Sequence, residues 1–401
     1  MTPQAAGQAA GLAEAGYRVL AVAAAEFDTL PADLDPGRAG PTNTDEQAPD
    51  LPLTLLGLVA IQDPPRHAAA GTIATCLRAG ITPVLITGDH PGTARAVATD
   101  LGIIEPGAPV ADCRDGLPGE EVRVYARATP GQKLDLIQAM RDGGGIVAMT
   151  GDGVNDGPAL RRADIGVAMG RRGTEVARQA ADLVLADDDL GTVVVAVEEG
   201  RRVYANIRRF LLYGLSGGAA EIAVMLIGPF LGFPLPLLPA QILWINLLTH
   251  GLPGVALGGE PAVPGSMERP PRPPGQSILG AGLWQRVVRI AIVLTAVTLG
   301  VALWAAATGR PWQSMAFFAL GATQLGVALG SRSRPGSLLN PMLLVAVAGA
   351  YVLQLAGIYL PPLRHLLGTE PLAPADLLIV TAVSVLGYAA VRLDRVVHRS
   401  R

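Results

Sequence analysis

Cysteine is scarce in this sequence: Cys76 and Cys113 are the two in 401 residues. They are too few and too far apart in the sequence to build a disulfide scaffold or a zinc site, which leaves them as buried or idle thiols. Charge is scarce as well, at 16% of residues against 50% hydrophobic, and the net charge of −3 gives no reason to propose a nucleic-acid partner. The opening residues, MTPQAAGQAAGLAEAGYRVLAVAAAEF, lack the pattern of a secretory leader: no basic start precedes an apolar run, and Glu14 and Arg18 interrupt the middle. They predict a helix to Gly16 and then a strand, YRVLAVAAA.

The mean hydropathy of +0.38 hides a sharp division. Residues 1 to about 206 carry acids and bases throughout, whereas beyond Phe210 the chain is apolar for long stretches with Arg confined to short links. A soluble part joined to a membrane part explains this better than one globular fold. Residues 28–50, rich in Pro, Asp, Gly and Thr, read as a loop or linker. Short apolar strands then alternate with helices: LTLLGLVAI (53–61), ITPVLIT (81–87), VRVYA (122–126), GIVAMT (145–150), IGVAM (165–169) and DLVLA (182–186). Strands and helices in this alternation predict a mostly parallel sheet covered on both faces, with the chemistry at the C-terminal ends of its strands.

Polar residues gather at those ends. Thr87, Gly88 and Asp89 follow one strand, Lys133 opens a helix, and Gly-Asp-Gly-Val-Asn-Asp (151–156) follows another. The glycines of the last segment permit a tight turn, which clusters the oxygens of Asp152, Asn155 and Asp156 in a form that suits a hard cation such as magnesium. A lone TGD reads as a strand-to-turn junction, and a lone lysine reads as a solvated side chain. Their combination points to a phosphoryl-transfer site: hydroxyl and amide groups on phosphate oxygens, a lysine against developing charge, and Asp152 on magnesium.

Six apolar stretches follow, at about 210–230, 237–257, 287–306, 312–330, 341–360 and 374–391. Each is near the ~20 residues needed to cross a bilayer. The links RRVYANIRR, Arg269/Arg272, SRSRPG and the tail RLDRVVHRSR alternate with less basic ones, which predicts both termini on the cytoplasmic side; Arg364 and His365 are the exception. Polar residues within the spans are costly and therefore informative. Glu221 lies mid-span in the first, Asn246, Thr249 and His250 share one helical face of the second, and Gln324 lies in the fourth. They line a cation path or serve as hydrogen-bonding glue between helices.

These motifs together resemble the C-terminal half of a P-type cation-transporting ATPase of the calcium-pump-like branch. DPPR (63–66), TGD (87–89), ARATPGQK (126–133), MTGDGVNDGPAL (149–160), IGVAMG (165–170), LLYGLSGGAAEI and ILWINLLTHGLP carry the resemblance. It implies an α/β haloacid-dehalogenase-like, Rossmann-like partial phosphorylation domain followed by an all-α six-helix transmembrane domain. It divides the chain into a remnant of a nucleotide-binding domain (1–27), the linker (28–50), the partial phosphorylation domain (51–190), a stalk helix (191–209), the membrane domain (210–393) and a cytoplasmic tail (394–401). The resemblance further implies ATP as substrate and Mg2+ held by Asp152 with support from Asn155 and Asp156. Thr87, Gly88, Asp89 and Lys133 would bind or support the phosphoryl group. Glu221, Asn246, Thr249, His250 and Gln324 would match cation ligands in the lipid bilayer, the plasma membrane by expectation, and long helices would connect phosphorylation to ion release.

Two departures stand out. No Asp-Lys-Thr-Gly-Thr occurs in the 401 residues, so the covalent nucleophile of that family is not among them and the chain alone is not expected to cycle. His250 stands where calcium pumps carry an aspartate, and Gly218 where a side-chain amide is usual, which weakens a calcium assignment and leaves a monovalent ion, a transition metal or a degenerate site. The expectation is thus a pump part, either one that needs a separate chain with the N-terminal half or the remnant of a truncated gene; the alternatives are a non-catalytic regulatory membrane protein and a free-standing phosphohydrolase.

Overall fold

The computed structural model describes residues 3–14, 16–26, 54–61, 66–116, 122–334 and 338–397. The linker expected over 28–50, Asp63 to Pro65 of DPPR, and the last four residues of the tail lie outside them. Two units are separable, Met1–Val194 and Val195–Arg401.

In the first unit, helix α1 (Pro3–Glu14) leads into strand β1 (Arg18–Ala24), which pairs antiparallel with β2 (Thr54–Ile61), Arg18 opposite Ile61 and Ala24 opposite Thr54. The strand read from LTLLGLVAI is therefore present, but it is not part of a parallel sheet. Nor is it buried on both faces: α1 contacts both strands, yet Leu20, Val22, Leu56, Val59 and Ile61 are all exposed. Its unbroken apolar run, which in sequence resembles a strand buried on both faces, forms here a two-stranded ribbon.

Beyond it follow α2 (His67–Arg78), β3 (Leu85–Ile86), α3 (Pro91–Asp100), β4 (Ala111–Asp112), β5 (Val124–Ala126), α4 (Pro130–Asp142), β6 (Ala148–Gly151), α5 (Gly157–Arg162), β7 (Ile165–Met169), α6 (Glu175–Ala180) and β8 (Leu183–Leu185). All the pairings among β3 to β8 are parallel, as expected, yet they form two three-stranded sheets, β3-β5-β4 and β6-β7-β8, rather than one. Strand β3 is shorter than ITPVLIT suggests. Pro83 has no N–H to give a ladder, and pairing is confined to Leu85–Ile86 with flanking bonds from Leu85 N to Arg123 O and from Thr87 N to Tyr125 O, each 2.9 Å. Strand β4, two residues long, leaves no periodic signal in the sequence. Small apolar cores lie beside these sheets, one around Ala94, Ala98, Ile103 and Val124, another around Leu160, Ala168 and Ala177.

The long helix α7 (Gly191–Ile227) carries the chain into the second unit. There follow α8 (Pro239–Ile245), a π-helical turn (Asn246–Gly251), α9 (Leu252–Leu257), α10 (Leu283–Ala307), α11 (Trp312–Gly330), α12 (Pro341–Tyr359), α13 (Pro361–Leu367) and α14 (Pro374–Val397). Among the described residues five helical segments are long and apolar enough to cross a membrane: Gly191–Leu231, Pro239–Leu257, Leu283–Ala307, Pro341–Tyr359 and Pro374–Val397. The expected fourth span, α11, is not among them. It carries Ser314, Thr323 and Gln324, all buried, and packs against α10, α12 and α14. Its Met315, Phe317, Phe318 and Leu320 form part of the main core of this unit. A helix surrounded by protein needs no apolar face toward lipid, so hydropathy understates it.

Two helices exceed their sequence-predicted limits for one reason. The span expected at 287–306 begins at Leu283, and the one expected to end at 391 continues to Val397. Asp394, its side chain 5% exposed, meets Arg286 Nε and Arg289 Nη2 at 2.6 Å each. Charges that look like span boundaries in sequence meet in the fold, one carboxylate on α14 facing two guanidiniums on α10.

Candidate functional site

At the C-terminal end of β3, Thr87 Oγ1 donates to Asp89 Oδ2 at 2.7 Å and accepts from Asp89 N at 3.1 Å. Asp89 O in turn accepts from Arg127 N at 2.9 Å, and Thr87 O from Ala128 N at 3.0 Å. Arg127, at a left-handed φ of 53°, places its Nη1 2.8 Å from Asp112 Oδ2 at the end of β4. The three strand ends of this sheet are thus laced together through the ARATP segment. Gly88 has open space around it.

The same segment starts the helix that carries Lys133. Thr129 caps α4 by accepting from Gln132 N while Gln132 Oε1 accepts from Thr129 N at 2.9 Å, a capping box completed by Pro130 in the first turn. With its helix fixed this way, Lys133 Nζ lies 2.8 Å from Asp156 Oδ1, a half-buried ion pair across to the loop after β6. Asp156 Oδ2 accepts from Gly153 N at 3.3 Å. Gly151 is required by this packing, since a Cβ there would stand 2.6 Å from Asp156 Cβ. Asp152 and Asn155 are exposed at the tip, and Asp152 O accepts from Thr174 N at 2.9 Å. The neighbouring loop is held by buried Asp188, whose carboxylate accepts from Arg171 N at 2.9 Å and Arg172 N at 3.0 Å. Those amides, Arg171 first, hold its carboxyl below the usual carboxylate range.

The two acids in GDGVND differ in their contacts. Asp156 is already committed to Lys133 and Gly153, whereas the carboxylate of Asp152 makes no hydrogen bond among the described residues. An exposed carboxylate at a strand end, beside amide and carbonyl oxygens, fits magnesium, which takes one or two carboxylates and fills its octahedron with water and phosphate oxygens.

In the second unit the five polar residues singled out in the apolar stretches form one connected set. Glu221 of α7 is buried; its Oε2 accepts from Asn246 Nδ2 and its Oε1 from Gln324 Nε2 of α11, each at 3.0 Å. Thr249 Oγ1 donates to Gln324 Oε1 at 2.7 Å and is also 2.7 Å from Ile245 O. His250 Nδ1 lies 2.7 Å from Asn246 Oδ1. His250 and Glu221 therefore connect through Asn246 and are not bonded directly. Asn246, Thr249 and His250 all fall in the π-helical turn Asn246–Gly251 rather than in a regular α-helix, a local widening that recurs at functional sites. Pro253, just beyond, has no N–H to continue the regular ladder.

Two further residues of this set escape a reading of the sequence. Tyr213 donates its hydroxyl to Thr249 O and meets the His250 ring edge-on at 5.7 Å. Gly217 faces His250 and Gln324 so closely that a Cβ there would stand 2.4 Å from His250 Nε2. Tyr213, Gly217 and Glu221 are spaced by four, one face of α7, so helical periodicity starting from Glu221 is the signal that could find them.

Residues 7–164 match the family model described as haloacid dehalogenase-like hydrolase, and residues 234–397 match the one described as cation transporting ATPase, C-terminus. The chain is 40% identical over 377 residues to the calcium-transporting ATPase of Bacillus subtilis, covering 89% of this chain and 42% of that protein. It is 38% identical over 414 residues to the probable cation-transporting ATPase F of Mycobacterium tuberculosis, covering 97% and 44%. The mouse calcium-transporting ATPase type 2C member 2 is 38% identical over 352 residues, covering 83% and 37%. The chain thus spans less than half the length of the curated relatives it matches.

Proposed function

From homology to P-type cation-transporting ATPases of the calcium-pump branch over part of a larger protein, we propose that this chain is the part of an ATP-driven cation transporter that holds magnesium and phosphoryl oxygens in its first unit and the ion path in its second. The observation that carries the reading is buried Glu221 with one amide donor on each oxygen, from Asn246 and Gln324 on two other helical segments. A carboxylate at mid-span is costly unless an ion or a pathway requires it.

In the soluble unit, Thr87 and the Gly88 amide orient phosphoryl oxygens, Asp89 fixes the Thr87 hydroxyl, and Lys133, positioned through Asp156, neutralises charge on the transferred group. Asp152, with Asn155 nearby, holds magnesium, which when bound supplies neutralisation of the phosphoryl oxygens. The carboxylate that accepts the phosphoryl group is not in the 401 residues, which contain no Asp-Lys-Thr-Gly-Thr. The exposed apolar side chains of the β1–β2 ribbon, Leu20, Val22, Leu56, Val59 and Ile61, support a soluble unit completed by further polypeptide, since a two-stranded ribbon is marginal by itself.

The expected result is that the purified chain forms no acid-stable phosphoenzyme from ATP and magnesium. Phosphorylation appears on co-expression with a second chain supplying Asp-Lys-Thr-Gly-Thr and the preceding spans, and it is lost again with Asp152→Asn. A phosphoenzyme on the chain alone sinks the assignment. In the complemented enzyme Glu221→Gln lowers cation-stimulated ATPase activity by roughly tenfold or more. A chain that joins such a partner without ever supporting phosphorylation would instead fit a non-catalytic regulatory role.

For the membrane part we propose six crossings, α11 included, with both termini cytoplasmic in the plasma membrane, because Arg-rich links alternate with less basic ones. Reporter fusions at the C-terminus and at Gly309 should be active on opposite sides, since α11, α12 and α14 lie between them; activity on one side for both leaves an even number of crossings there and removes α11 from the arrangement.

A further inference from the structure

Resting on the proposed ion path, we infer that His250 is a nitrogen ligand and that the cargo is a borderline divalent first-row transition-metal ion rather than calcium. The first observation is an orphan. His250 Nδ1 is committed to Asn246 Oδ1 at 2.7 Å, while Nε2 is buried and has no hydrogen-bond partner among the described residues. An imidazole whose one nitrogen is anchored by an amide oxygen and whose other is free is the arrangement of a histidine metal ligand, with the anchor fixing the ring orientation.

The second observation is the space at that nitrogen. Nε2 and the Gln324 amide both crowd the point where a Gly217 side chain would begin, 2.4 and 3.1 Å from an ideal Cβ. Gln324 in turn bonds Glu221 Oε1 and receives the Thr249 hydroxyl. The absence of a side chain at residue 217 thus leaves the free nitrogen adjoining the same set of groups that surrounds the carboxylate.

The donor chemistry follows. Glu221 supplies the one carboxylate, the Thr249 hydroxyl a neutral oxygen and His250 the nitrogen, while the Asn246 and Gln324 oxygens are already committed to His250 Nδ1 and to Thr249. Calcium sites take six to eight oxygens and rely on several carboxylates, whereas imidazole with a carboxylate suits manganese, cobalt or zinc. Among the described residues no three His, Cys, Asp or Glu side chains are grouped as a metal site. A small charged donor set suits cargo that must leave again, where a closed set would retain the metal.

The test uses the full chain in lipid nanodiscs with Mn2+ as probe, read by pulsed paramagnetic resonance for a directly bound 14N nucleus. Wild type should show nitrogen coupling, with Ca2+ displacing the ion only at roughly tenfold or more higher concentration. His250→Ala should abolish the coupling and weaken Mn2+ by roughly tenfold or more, and His250→Asp should invert the Mn2+/Ca2+ preference. Gly217→Ala, which places a methyl against Nε2, should lose the coupling while keeping Glu221-dependent binding. Manganese at the Asp152 loop has oxygen ligands and gives no such coupling. Nitrogen coupling that persists in His250→Ala, or displacement by equal Ca2+ or K+, overturns the inference. If the coupling is missing while Glu221→Gln still weakens cation binding, the nitrogen ligand fails and the ion path stands. If Glu221→Gln alters the binding of no cation, the ion path fails with it.

Discussion

Gly387→Leu is expected to force two helices of the membrane bundle apart. Helices α11 and α14 approach so closely that a Cβ on Gly387 would stand 2.0 Å from Thr323 O. The facing contact is the same in kind: a Cβ on Gly326 would lie 2.1 Å from Ser384 O, and one on Gly330 would lie 3.0 Å from Tyr388 O. Backbone oxygens cannot rotate aside as a side chain can, so the helices must separate. Gly326 and Gly330 are four apart, the spacing by which small residues let two membrane helices meet backbone to backbone. Separation would also loosen α11 from the core around Phe317, Phe318 and Leu320 and move Gln324 away from Glu221. Overpacking ordinarily costs about 1–3 kcal/mol, and contact with two helix backbones puts this case at or above the upper end. Denaturant titration in mixed micelles, with Gly349→Leu as a control at a position with open space, measures it. Equal stability of the two variants would mean that α11 and α14 do not pack in this way.

Glu260→Ala should be nearly as severe, for a different reason. Glu260 is 1% exposed and follows α9 in the link toward α10. Its Oε2 accepts from Ser333 N at 2.7 Å and Ser333 Oγ at 2.9 Å, and its Oε1 from Asn340 Nδ2 at 3.1 Å, with Arg332 Nε at 3.7 Å. Its carbonyl oxygen accepts from Asn206 Nδ2 at 2.8 Å and Arg202 Nη1 at 3.1 Å, both on α7. One residue therefore ties the end of α9 to α7, to the end of α11 and to the cap of α12. Truncation keeps the backbone carbonyl that faces α7 but removes the carboxylate from Ser333 and Asn340, and a buried donor left without its acceptor costs about 1–3 kcal/mol. Glu260→Gln keeps one acceptor oxygen and should lie between wild type and alanine. The same denaturant titration orders the three; alanine within about 1 kcal/mol of wild type would show that the clamp carries no stability.

Local patterns are legible without coordinates. The change of character near Phe210, the strands at Thr54–Ile61 and Ile165–Met169, and the helices from α2 to α6 follow from periodicity, caps and the positions of Pro and Gly. So do the polar set at the strand ends and the five polar residues in the apolar segments, because a polar side chain in an apolar run is conspicuous at the level of sequence. The pairing of distant residues is not legible. Gln324 reaches Glu221 across 103 positions, Thr249 reaches Gln324 across 75, and Arg286 reaches Asp394 across 108. No local period encodes such contacts.

The same limit explains where expectation and structure part. Arg286 and Asp394 fall outside the membrane segments expected from hydropathy because each charge is unfavourable there singly, and only their contact removes that penalty. The strands of the first unit suggest one sheet because alternation fixes the type of strand and not which strands become neighbours. By itself the sequence determined which segments are helical, which are apolar and which short polar clusters interrupt them, since these depend on residues a few positions apart. Only the tertiary structure decided that α11 is enclosed by its neighbours, that Asp156 is committed to Lys133 while Asp152 is free, and that the nitrogen of His250 opens onto a glycine. Each of those depends on which surfaces pack together, and packing is settled by the whole chain at once.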